Sequence, residues 1–101
     1  MKALYMFINP KLDSAEHRAE IATPDGKMFI VGVNSAEEGA ILAERHVKEQ
    51  GVSIVELCGG FSYEGAKIVH EAIGDTVPVG MVMHHVWSAP KLANLLERRE
   101  H

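Results

Sequence analysis

From Met28 onward, apolar runs and helical spacings take turns along the chain. Met28–Val33, Ser53–Cys58 and Val77–Met83 read as buried strands, and an amphipathic stretch follows each. That alternation calls for parallel pairing through right-handed crossovers, with helices packed on the sheet. The helices carry their own punctuation. Ser35-Ala36-Glu37-Glu38 has capping-box spacing. Ala36, Ala40, Ala43 and Val47 then form one stripe, widened by Ile41 and Leu42, and Gly51 stands at the stop position. The second helix is expected over Ser62–Ile73, with Ala66, Val69, Ala72 and Ile73 inward and Gly74 as its stop. Ser88 caps a last helix, with Pro90 in its first turn and Leu92, Leu95 and Leu96 as its apolar side.

Upstream, Ala3–Ile8 is another apolar strand, closed by Asn9-Pro10. Asp13-Ser14-Ala15-Glu16 has the spacing of a helix start, but only a turn or two fits before Arg18. Arg18–Thr23 and Met28–Val33 flank Pro24-Asp25-Gly26 and are expected to pair as a hairpin arm at an edge. If the chain returns along that arm, Met28–Val33 runs parallel to Ala3–Ile8. The expectation is a single small α/β domain over residues 1–101. Its sheet is mostly parallel and four-stranded, with a β-hairpin arm, half-barrel-like or flavodoxin-like. Helices should cover both faces, as parallel sheets require.

Composition narrows the classes of function. Across 101 residues the formal net charge is −4, and no basic cluster offsets it, since Arg98-Arg99 sits between Glu97 and Glu100. Nucleic acid is therefore not an expected partner. The single cysteine, Cys58, leaves no intramolecular disulfide, which argues against a secreted disulfide scaffold. No apolar run reaches membrane-spanning length, and the N-terminal run reads as a strand rather than a signal peptide. A cytoplasmic location is the simplest expectation.

In a parallel sheet the carboxyl ends of the strands share one edge, where ligands bind. Here that edge gathers Asn9, Asn34, Cys58-Gly59-Gly60 and His84-His85. Gly59-Gly60 permits a tight turn, and the helix start behind it offers unpaired N–H groups to an anion. Phe61, Ser62, Glu64 and Trp87 are candidate ligand contacts around it. The stretch Gly59–Gly65 holds no Lys or Arg, and no Gly-x-Gly-x-x-Gly appears, so it is not a known phosphate loop. Cys58, beside a helix start, is a candidate nucleophile; the bland alternative is a small residue filling the strand end. Glu56 lies mid-strand, as a general base or as a structural acceptor. His84 and His85 are candidate partners for Cys58, although neighbouring strand residues point to opposite faces. A cysteine and a histidine are too few ligands for a metal centre, so no metal and no cofactor is expected. His17, His46, His70 and His101 read as surface residues.

At Val55-Glu56-Leu57-Cys58-Gly59-Gly60-Phe61, with Glu64-Gly65 after it, the chain resembles a family of short microbial α/β proteins classed only as a domain of unknown function. The likeness takes in the strand ending before Pro10, the His17-Arg18 region, Ile30–Val33 and Val77–Gly80, most of residues 1–83. The Cys-Gly-Gly-Phe motif is its specific part. The resemblance implies a small independent domain and no particular activity.

Two functional readings follow. In the first, the chain binds a small anionic metabolite at the carboxyl edge; whether it is also an enzyme stays open. Were it one, Cys58 or Glu56 would attack or take a proton and His84 or His85 would assist. In the second, it is a non-catalytic structural or regulatory homo-oligomerisation module. A homodimer or higher homo-oligomer is expected in either case, because a small sheet leaves edges to cover and the last helix is apolar on one side.

Overall fold

A computed structural model of the chain describes residues 1–100, without the side chains of 99 and 100. The strands are β1 (Lys2–Ile8), β2 (Arg18–Thr23), β3 (Gly26–Val33), β4 (Ile54–Leu57) and β5 (Val79–Met81). The helices are α1 (Ala36–Arg45), α2 (Ser62–Ile73) and α3 (Ala89–Glu100). One sheet holds all five strands in the order β2-β3-β1-β4-β5. Four of them run parallel, and β2 is the antiparallel arm on β3. The mostly parallel α/β class and the hairpin arm are as expected, the arm counting as the fifth strand.

The parallel return of β3 on β1 runs in register from Lys2 opposite Lys27 to Ile8 opposite Val33. No helix forms at Asp13–Glu16. The carbonyl of Asp13 instead accepts the N–H groups of Glu16 and His17 in a turn. At the entry to α1, Ser35 Oγ accepts the Glu38 N–H at 3.1 Å. The Glu38 carboxylate reaches back to the Asn34 N–H at 2.8 Å, one residue beyond the usual capping-box partner. A π turn, His46–Gln50, continues α1, and Gly51 ends it in the left-handed conformation at φ 75°.

The connection from β3 to β4 steps over β1, and the one from β4 to β5 steps onward in the same direction. Two right-handed crossovers that advance the same way put their helices on the same face. Accordingly α1 and α2 lie side by side, with Gly39 against the Phe61 ring and Gly65 near Ala36 Cβ. Beneath them Leu4, Met6, Phe29, Val31, Val33, Val55 and Leu57 are all at most 1 % exposed. Val69 from α2 and Leu42 and Ala43 from α1 close this core.

The alternate residues face the other way: Ala3, Tyr5 and Phe7 of β1, Met28 and Ile30 of β3, Ile54 and Glu56 of β4. These are only half-buried, and Ile21 beside them on β2 is 57 % exposed. Helices covering both faces were expected; among the described residues no helix covers the second face, which is bare. α3 does not fill the gap. Its main packing is with the short turn Val86–Ser88, and Leu95 and Leu96 stay 50 % and 45 % exposed.

Two local expectations need correcting. Ile41 does not widen the α1 stripe but points outward, 59 % exposed. His46 is not a surface residue. It is buried, its Nδ1 lies 2.7 Å from the Leu42 carbonyl, and its ring meets Phe29 edge-on at 5.1 Å. One hydrogen bond and an aromatic contact offset the burial of its polar ring. His17 and His70 are exposed as expected, and His101 lies outside the described residues.

Candidate functional site

The carboxyl edge is built around the Cys58–Ser62 turn. The Cys58 N–H donates to the Met6 carbonyl and the Val82 N–H to the Leu57 carbonyl, so the ends of β1, β4 and β5 are tied together. Gly59 and Gly60 fit between those ends. A Cβ on Gly59 would stand 3.1 Å from the Val82 carbonyl oxygen, and one on Gly60 would stand 3.0 Å from Ile8 Cγ2. Neither glycine has positive φ, so close approach, not a left-handed turn, explains both. Cys58 is half-buried, packed against the edge of the core, with Sγ 3.5 Å from the Cβ position of Gly60.

The residue that does adopt an unusual backbone is Ser62, at φ 59° and ψ 174°. That region is almost reserved for glycine and costs a side-chain-bearing residue about 1–3 kcal/mol. Ser62 links the short turn Gly59–Phe61 to α2, and its N–H is taken by the Gly59 carbonyl. The Phe61 N–H is likewise taken by the Cys58 carbonyl. No side chain caps the start of α2. Glu64 lies in its exposed first turn, and the Tyr63 hydroxyl approaches Met83 Sδ at 3.9 Å. The α2 start therefore faces the segment that leaves β5.

The other candidates divide. Asn9 is used locally: its Oδ1 accepts the Lys11 N–H at 2.9 Å, and its own N–H donates to Val33. Asn34 gives its N–H to Glu38. Phe61 is a core residue, 3 % exposed, packed under Gly39 and Gly65. His84 and His85 are exposed and make no hydrogen bond with Cys58 among the described residues. His85 meets Trp87 edge-on at 5.7 Å, and Trp87 is 85 % exposed. His84 lines a cavity of about 220 Å³ with Ser88, Lys91, Leu92 and Leu95. No group of three or more metal-ligating side chains occurs among the described residues.

Glu56 belongs to the bare face. Tyr5, Glu56 and Gly80 stand opposite one another across β1, β4 and β5. The carboxylate lies over Gly80, where an added Cβ would come 2.6 Å from Oε2. Burial, and then the neighbouring Cys58, push the Tyr5 phenol above the usual tyrosine range. A second cavity of about 330 Å³ opens on this face, with Phe7, Ala19 and Ile30 beside Glu16, His17 and Arg18. No pattern in the sequence marks Tyr5, Phe7 and Gly80. Their strands are apolar on both sides, which reads as two covered faces, and only the crossover directions reveal otherwise.

A family model described as a family of unknown function (DUF6506) matches residues 1–97. The match reaches beyond residue 83, into α3. No curated protein and no solved structure matches the chain.

Proposed function

We propose, for a chain that belongs to the DUF6506 family of unknown function, that it binds a small anionic molecule at the carboxyl edge of its sheet. The observation that carries this reading is the start of α2. A helix of twelve residues opens there without a side-chain cap among the described residues, behind the exposed Gly59-Gly60 turn. Free N–H groups and the helix dipole both favour negative charge at such a position. The strained Ser62 holds the turn in one shape, as backbone outliers at ligand sites do. Cys58 and Glu64 flank the site. The histidines contribute at most from its outer rim, so binding is favoured over a Cys–His reaction. Titrating inorganic phosphate into ¹⁵N-labelled protein tests this. Saturable shifts confined to amides of residues 60–65 support the reading; shifts that never saturate, or that follow the lysines, refute it.

A second reading, a homo-oligomerisation module, draws on a different observation. The sheet face bearing Tyr5, Phe7, Met28, Ile30 and Ile54 is apolar and bare. Parallel strands seldom leave a face in water. Sedimentation of the full chain tests this reading, which requires a mass at least twice 11.1 kDa.

A further inference from the structure

We infer that a second copy of this chain covers the bare sheet face, and that the α3 helix of each copy lies as an arm across the sheet of the other. The inference rests on the self-association reading and gives it a surface and a geometry. Two unpartnered apolar features occur in one chain. The first is the sheet face, where Phe7, Ile30 and Ile54 are half-buried and Ile21 is exposed. The second is the segment Val86–Glu100. In it Val86 is 76 %, Trp87 85 %, Leu95 50 % and Leu96 45 % exposed. α3 packs mainly on its own preceding turn, and the chain is elongated, 41 Å by 27 Å by 27 Å. Exposed apolar surface on this scale marks a docking site.

Area favours a copy of the chain as the occupant. Strands of 7, 6, 8, 4 and 3 residues, at ~3.3 Å per residue and ~4.8 Å spacing, give each face roughly 440 Å². A twelve-residue helix ~18 Å long and ~10 Å wide covers about 180 Å² more. Two faces and two arms together bury roughly 1,200 Å², at the lower end of the range of stable interfaces. Reciprocal arms also make the contact isologous, so it closes at two copies.

Charge agrees. Glu56 stands within the bare face, while Glu16 and Arg18 border it at the β2 edge, and Glu56 has no ion pair among the described residues. Lys91 stands on α3 beside Leu92 and Leu95, lining the same cavity. An arm laid across the partner brings this ammonium toward a carboxylate that would otherwise be buried alone, which is a costly state.

Sedimentation equilibrium of the full chain and three variants tests the inference. Leu95→Glu alters an exposed residue and leaves the fold of one copy intact; Ile30→Glu alters the sheet face; Glu56→Lys with Lys91→Glu reverses the charge pair. The native chain is expected as a dimer, and Leu95→Glu and Ile30→Glu as monomers with unchanged helical circular dichroism. Glu56→Lys alone should weaken the dimer at least tenfold, and adding Lys91→Glu should restore it. Trp87 emission should shift to shorter wavelength as the native dimer forms. A monomeric native chain overturns both this inference and the self-association reading. A dimer that survives Ile30→Glu with the fold intact overturns the inference alone. So does one lost in Ile30→Glu yet unchanged in Leu95→Glu, because it contradicts the arm.

Discussion

Replacing Ser62 with glycine should make the protein more stable. Ser62 sits at φ 59° and ψ 174°, a region that costs a non-glycine residue about 1–3 kcal/mol. Its side chain is exposed and makes no hydrogen bond among the described residues, so truncation sacrifices no contact. Glycine removes the clash but gives the unfolded chain more freedom, which costs about 0.5–1 kcal/mol. The difference leaves a net gain of about 1 kcal/mol. For a domain of this size that corresponds to a midpoint rise of roughly 4–8 °C. Thermal unfolding followed by circular dichroism measures it. Ser62→Ala is the control, because alanine keeps the Cβ and the strain; its stability should stay within about 0.5 kcal/mol of the native value. If Ser62→Gly lowers the midpoint, or Ser62→Ala raises it as much, the turn is not strained. The support that strain lends to a ligand site would then fall away.

Three further outcomes are expected. Gly59→Ala brings a Cβ within 3.1 Å of the Val82 carbonyl and should destabilise the chain by about 1–2 kcal/mol in urea unfolding. With Tyr63→Phe leaving Tyr5 as the only tyrosine, its phenolate absorbance should appear above pH ~10, and Cys58→Ser should bring it part of the way back. The hydrogen bond from Lys27, 3.0 Å away, holds the Glu20 carboxyl below the usual carboxylate range. A depressed folded value means that this pair supports the β2–β3 hairpin above pH ~4.3 and stops doing so as pH falls through the folded value. Carboxyl NMR titration of Glu20 should show the low midpoint, and Lys27→Met should abolish it.

Much of this architecture could be read from residues alone. The strands announced themselves as apolar runs, and Ser35, Gly51 and Gly74 marked helix ends where the backbone does turn. The short spacer after Asn9 foretold a parallel β3 through length alone. The bare face was not legible. Ile54 and Ile30 look like any buried strand residues, and their exposure depends on strand order, which no local pattern encodes. His46 was misread because its partners, Phe29 and the Leu42 carbonyl, become neighbours only on folding. At the site, sequence located the Cys58–Ser62 turn correctly as the meeting point of strand ends. Of the two reasons for glycine there, positive φ and close backbone approach, only the second operates, against Val82 and Ile8. Asn9 and Asn34 do stand at the ends of β1 and β3, where the Asn9 side chain accepts the Lys11 N–H and the Asn34 backbone N–H goes to Glu38.

The carboxyl-edge site is tested most directly by soaking crystals of the full chain in selenate and locating the anion by its anomalous signal. An oxyanion on the N–H groups that follow Ser62, at the start of α2, is the predicted result. Selenate bound only beside lysine and arginine side chains, with the α2 start empty, would contradict it.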